Sequence, residues 1–201
     1  MSSASWLLSV ALFSVAMSGT PGPNNIMLTA SGARFGYRRT LPHMVGILGG
    51  CVLLFMATAL GLGAIFERYE SVQWGLRLAG SAYLLYLAWR IATAPPPALA
   101  DADTARPLTI WEAAAFQFAN PKAWIMGLTL TASFLPNDGP LLLNALALAI
   151  FMEIVAFPCI SFWALFGRTL GTRLHSPRAW RLFNAVMGAL TAACVILIFS
   201  D

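Results

Sequence analysis

Residues 5–31 read SWLLSVALFSVAMSGTPGPNNIMLTAS, a stretch with no charged side chain and with Pro21-Gly22-Pro23-Asn24-Asn25 near its middle. An uncharged apolar run of this length suits a helix that crosses a bilayer, which takes about 20 residues. The two prolines remove two backbone donors and clash with the turn before them, so no single straight helix can run through. Glycine between them opens dihedrals closed to other residues. Proline fits the first position of a helix, so a second helix is expected to start near Pro23. The first peptide N–H groups of that helix, from Asn24 onward, then face the break with a partial positive charge.

Five further stretches of similar character follow, at about Pro42–Phe66, Val72–Ile91, Trp111–Phe134, Leu141–Phe166 and Trp180–Phe199. Of the 201 residues, 59% are hydrophobic and only 10% are charged, against about 25% charged in soluble domains. Lipid is the solvent that tolerates such a surface, and in lipid the backbone must satisfy itself. No stretch alternates as a membrane β-barrel strand does. The expected fold is an all-α membrane protein of six transmembrane helices. The start of the chain lacks the basic residues of a secretory signal, so it is expected to remain as part of the first span.

The longest joint, 93–110, carries Pro95-Pro96-Pro97, Asp101 and Asp103 and reads as an extended, semi-rigid linker. It separates residues 1–92 from 111–201, three spans on each side. Pro23 and Pro121 are 98 positions apart, as are Pro42 and Pro140. Each pair falls at a similar place in its half: the break in a first helix, then the start of a second. Arg34, Arg38, Arg39, Arg90, Arg106, Arg168, Arg173, Arg178 and Arg181 fall on one side of a six-span arrangement, and only Arg68 and Arg77 on the other. Basic residues stay cytoplasmic, so both termini are expected outside, in the periplasm or exterior. With three spans per half, the second half enters the membrane the other way up. The expectation is two inverted three-helix repeats, with the first and fourth helices broken.

The fourth stretch repeats the interruption at Asn120-Pro121-Lys122, where Asn is a strong N-cap and Pro fits the next position. Lys122 lies about ten residues into its span, so ~15 Å deep in a core ~30 Å thick. A charge at that depth is costly, which marks it as functional. Glu153 is the one acid well inside a span. It could pair with Lys122, carry a proton or accept a substrate ammonium. Pro158 is expected to bend the fifth span nearby. The candidate binding residues are therefore Pro21, Gly22, Pro23, Asn24, Asn25, Asn120, Pro121, Lys122 and Glu153, with Glu153 the candidate for proton coupling. Helix ends of this kind bind anions.

The remaining polar groups read as structural. His43 is expected at the start of the second span, as an interfacial or capping residue, and Glu112 and Asn144 as surface groups. Gly46, Gly49, Gly50, Gly61 and Gly63 are expected to allow close helix packing. Trp6, Trp74, Trp89, Trp111 and Trp180 fall near span ends, whereas Trp124 and Trp163 lie deeper, as core or cavity residues. Cys51, Cys159 and Cys194 fit no metal spacing and read as small core residues. No phosphate-binding loop, catalytic set, metal cluster or nucleic-acid stripe is visible, so no enzymatic activity, cofactor, metal or nucleic-acid partner is expected.

Pro21-Gly22-Pro23-Asn24 with the run Ser31-Gly32-Ala33-Arg34-Phe35-Gly36 resembles the LysE/RhtB family of bacterial amino-acid exporters. Gly80-Ser81-Ala82-Tyr83-Leu84-Leu85-Tyr86-Leu87-Ala88-Trp89-Arg90 and Phe116-Gln117-Phe118-Ala119-Asn120-Pro121-Lys122-Ala123-Trp124 do so too. The resemblance runs over essentially the whole chain in the same order, nearer the RhtB-like branch than the basic amino-acid exporter. It implies export of amino acids or close derivatives, of the threonine/homoserine or cysteine/O-acetylserine kind, across the bacterial inner membrane. It also implies coupling to an ion gradient, usually protons. The partners expected are a small amino-acid substrate and membrane lipid, and a homo-oligomer is compatible with the sequence. Two alternatives stand beside this reading: a transporter of another small solute or metal cation, and a structural membrane protein without flux.

Overall fold

The computed structural model describes residues 3–96 and 106–198. The remainder, with Pro97, Asp101, Asp103 and Asp201, lies outside the described residues. Helix α1 spans Ser3–Gly19 and α2 Pro23–Ala57. A π-helical turn, Thr58–Leu62, leads into α3, Gly63–Arg68. Helices α4, Glu70–Ala92, and α5, Ile110–Ala119, flank the Pro-rich linker. Then come α6, Pro121–Phe134, α7, Leu141–Gly171, and α8, Pro177–Ile198. Three of these helical stretches are long and apolar enough to cross a membrane: Pro23–Leu62, Leu141–Gly171 and Pro177–Ile196.

Both expected interruptions are present. Between α1 and α2 the chain leaves the helix at Thr20–Gly22, with Gly22 fully extended at φ −177°, ψ 178°, and restarts with Pro23 in its first turn. Between α5 and α6 only Asn120 is non-helical, and its side chain caps the new helix by accepting from the Lys122 N–H at 3.1 Å.

The turn after the first interrupted helix differs from expectation. Pro42 does not open a helix; it lies inside α2. The chain reverses at Gly36, whose φ of 77° and ψ of 167° are open to glycine and not to residues with a Cβ. Thr40 donates to the Gly36 carbonyl at 2.9 Å and shares a 2.9 Å hydrogen bond with Ser31, which ties the two arms of the turn together. Thus α2 is two rods, residues 23–35 and 37–57. His43, expected at a helix end, is instead buried inside the second rod.

Glycines set how the rods pack. A Cβ on Gly32 would lie 2.1 Å from the Ala164 carbonyl oxygen, and one on Gly167 would lie 2.0 Å from that of Thr29, so the first rod of α2 and α7 approach backbone to backbone. The second rod meets α5 the same way, through Gly46 against Ile110 and Gly50 against Ala114. Gly49 faces open space and takes no part, and Gly61 instead turns the chain at φ 106°. Helices α4 and α8 form the third extensive pairing. The core holds Leu28, Met44, Leu54, Leu130, Met152 and Trp124. Leu8, Leu12, Leu53, Leu143, Ile154, Phe162, Leu182 and Ile196 are exposed. So broad an apolar exterior is a surface for lipid, not water.

Candidate functional site

Ending α1 at Gly19 strands its last carbonyls, which carry the negative end of the helix dipole. The structure supplies partners at this end. Asn25 Nδ2 donates to the Ser18 and Thr20 carbonyls, both at 2.8 Å, from the next helix. Trp163 Nε1 reaches the Gly19 carbonyl from α7 at 3.2 Å. Lys122 Nζ donates to the Thr20 carbonyl at 3.0 Å and to its hydroxyl at 2.9 Å. The cation of the second interruption is therefore bound to the loose end of the first. Its stem lies over Gly22, where a Cβ would come within 3.2 Å of Lys122 Cδ.

A second link joins the interruptions. The carboxamides of Asn24 and Gln117 pair reciprocally, Asn24 Nδ2 to Gln117 Oε1 at 2.8 Å and Gln117 Nε2 to Asn24 Oδ1 at 3.3 Å. Gln117 is fully buried and is itself held by the Ala113 carbonyl at 2.8 Å. Cys51 Sγ lies 3.7 Å from Gln117 Oε1.

Between these links is a small cavity of about 40 Å³, room for roughly three water molecules. Gly22, Pro23, Asn24, Asn25, Asn120, Lys122 and Glu153 line it, so seven of the nine residues singled out in the sequence meet at one place. Pro21 and Pro121 do not line it; they shape the breaks. Cys51, read as a core residue, lines the space as well. Gln117 and Thr20, which complete the links, carry no local signal in the sequence, because their partners are about a hundred positions away.

Glu153 is buried at 6% exposure, and its Oε1 has no hydrogen-bond partner. It forms no ion pair with Lys122: among the described residues the one ion pair is Arg106–Glu112. Lys122 spends its donors on Thr20 instead. A lone buried carboxyl is stable as the neutral acid or when a ligand completes its hydrogen bonds. The site therefore combines two helix N-termini, an ammonium and an unpartnered carboxyl. That set can take a carboxylate at one end and an ammonium at the other.

One other expectation changes, and the core reading of Trp124 stands. Glu112 is no free surface group: with Thr109 it forms a capping box at the start of α5, and Arg106 grips it through both oxygens, at 2.6 and 2.8 Å. That hydrogen bond raises the pKa of the Arg106 guanidinium. Trp124 packs in the core and donates to the Phe118 carbonyl at 2.8 Å. Among the described residues no group of three or more His, Cys, Asp or Glu side chains is placed to hold a metal ion.

Comparison with known proteins bears on this arrangement. The description LysE type translocator matches residues 14–198. The chain is 29% identical over 181 residues to cysteine/O-acetylserine efflux proteins of Escherichia coli strain K12 and Shigella sonnei strain Ss046, covering 90% of each chain. No solved structure matches it.

Proposed function

The chain belongs to the LysE type translocator family, and from that premise we propose that it is a secondary active exporter of amino acids or close derivatives. It is a membrane transporter and not an enzyme. The proposed substrates are small and neutral, of the cysteine/O-acetylserine or threonine/homoserine kind. The observation that carries this is the meeting of both helix breaks around one cavity with Lys122 and Glu153 in its wall.

The substrate carboxylate binds the N-termini of α2 and α6 and the Lys122 ammonium, displacing Thr20. Its ammonium meets Glu153. At about 40 Å³ the cavity is too small for an amino acid, so this is a closed state and transport requires the breaks to part. The packing supports six spans in two inverted repeats, residues 1–92 and 111–201, joined by the linker 93–110. The first span packs on the fifth through Gly32 and Gly167, the second on the fourth through Gly46 and Gly50, and the third on the sixth. An exchange of one three-helix half for the other turns the first of these contacts into the second and leaves the third unchanged. Rocking of the halves about the shared cavity alternates its exposure. The basic joints face the cytoplasm of a bacterial inner membrane, with both termini outside. Glu153 gives up a proton as the substrate ammonium arrives and takes one as it leaves, which couples export to proton entry.

The test is export from proteoliposomes containing the purified protein, loaded with radiolabelled O-acetylserine, cysteine, threonine or homoserine. A pH gradient should drive flux of at least one of them. Absence of flux for every amino acid tested, with folded protein in the vesicles, overturns the assignment.

A further inference from the structure

A second cavity, of about 300 Å³, opens on the basic side of the molecule. That volume suits a small organic ligand. Ser31, Arg34, His43, Arg90, Arg106 and Asn184 supply most of its polar lining, from α2, α4, the segment before α5, and α8. Both rods of α2 run from one cavity to the other. On the first, Asn24 faces the central space while Met27, Ser31 and Arg34 face the outer one, at the three-to-four residue spacing of a single helix face. On the second, His43 lines the outer cavity and Ile47 and Cys51 the central one, again four residues apart.

Among the described residues, no acid pairs with Arg34 or Arg90 of this lining. Glu112 is engaged by Arg106 and by the cap of α5. Arg34 donates through Nη1 to the Pro95 carbonyl, which fixes its guanidinium and leaves other N–H donors over. Arg90 lies over the Tyr86 ring at 5.8 Å and forms no ion pair among the described residues. The second observation is His43. It is 1% exposed, it lines this cavity, and neither ring nitrogen has a hydrogen-bond partner. Buried imidazoles are ordinarily satisfied, so an orphan one in the wall of a cavity marks where a ligand completes the set. Ser31 and Asn184 are already held, by Thr40 and by the Ala94 carbonyl, and stiffen the wall.

We propose that this cavity is a separate binding site for the carboxylate of a small solute. Arg34 and Arg90 hold the carboxylate, and His43 hydrogen-bonds to the bound molecule. Guanidinium groups are suited to this because their planar donors match a carboxylate's two oxygens. The site rests on the export reading in one respect: the solute is the one that passes on along α2 to the breaks.

The test is calorimetric titration of the full-length, delipidated protein in non-ionic detergent with O-acetylserine, acetate, inorganic phosphate and a short-chain phosphatidylglycerol. Arg34→Gln, Arg90→Gln and His43→Gln are compared with the wild type, each checked by thermal unfolding. Arg90, partly exposed, tolerates exchange if buried His43 does not. O-acetylserine and acetate should bind. Arg90→Gln should weaken both about tenfold or more, the usual effect of losing a hydrogen bond to a charged group. In vesicles the same variant should raise the half-saturating substrate concentration on the basic side while the maximal rate stays unchanged. Arg68→Gln, exposed and in the lining of neither cavity, should titrate as wild type. Unchanged affinity in folded Arg34→Gln and Arg90→Gln overturns the proposal. So does binding of phosphate or phosphatidylglycerol without acetate, which assigns the cavity to a lipid headgroup or free phosphate. Arginine-dependent acetate binding in a protein that moves no amino acid supports the site and overturns only the export reading.

Discussion

Replacing Lys122 by methionine removes one charge and keeps the length and most of the volume of the side chain. In the closed state it deletes two hydrogen bonds from Nζ, to the Thr20 carbonyl at 3.0 Å and hydroxyl at 2.9 Å. Interhelical hydrogen bonds inside membranes average about 0.6 kcal/mol, so the fold should lose on the order of 1 kcal/mol and persist. Transport should lose more. If the ammonium meets the substrate carboxylate, its removal costs the substrate complex a hydrogen bond to a charged group, about 1.5–3 kcal/mol. That corresponds to roughly a 10- to 100-fold higher half-saturating concentration. The assay is counterflow of radiolabelled substrate in proteoliposomes, with no gradient, so that binding is read apart from coupling. Thr20→Val is the control, since it removes the hydroxyl partner but leaves the charge. Lys122→Arg should recover part of the affinity. Wild-type affinity in Lys122→Met, or equal defects in Lys122→Met and Thr20→Val, would refute the reasoning, because the lysine would then serve only to tie the two breaks.

Three other outcomes are expected. Glu153→Gln keeps shape and burial but cannot exchange a proton, so counterflow should continue while gradient-driven accumulation falls to background; retained uphill transport removes Glu153 from coupling. Gly167→Val places a branched side chain where a Cβ alone would lie 2.0 Å from the Thr29 carbonyl oxygen, so α2 and α7 must separate. The stability lost should be about 1–3 kcal/mol or more, read as a lower thermal midpoint in detergent, whereas Gly49→Ala, with nothing within 4 Å, should leave the midpoint in place. Thr109→Ala deletes half of the capping box of α5 and should cost about 1 kcal/mol, checked by the same melts.

Much of this architecture is legible in local chemistry. Proline at 23 and 121 can neither continue a helix nor be better placed than at the start of one, and both stand there. Asn120 caps because its short carboxamide reaches the second N–H beyond it. Helix α4 ends at Ala92 and α5 begins at Ile110, on either side of the Pro-rich stretch. What the sequence conceals is set by contacts between distant residues. Gly36 and Pro42 both break helices on their own merits, and the Ser31–Thr40 bond settles the turn on the glycine. The pairing of Lys122 with Thr20 rather than Glu153, the Asn24–Gln117 link, and the burial of His43 all depend on which helices become neighbours. No periodicity encodes that.

The central claim is that substrate occupies the space between the two breaks. It is tested most directly at Ala123, which is 1% exposed and lines that space. In a protein freed of its three native cysteines, Ala123→Cys should react with a hydrophilic maleimide in functioning vesicles, and saturating O-acetylserine or threonine, whichever is exported, should slow the reaction at least severalfold. Equal labelling with and without the exported solute, or no labelling in protein that transports, would contradict it.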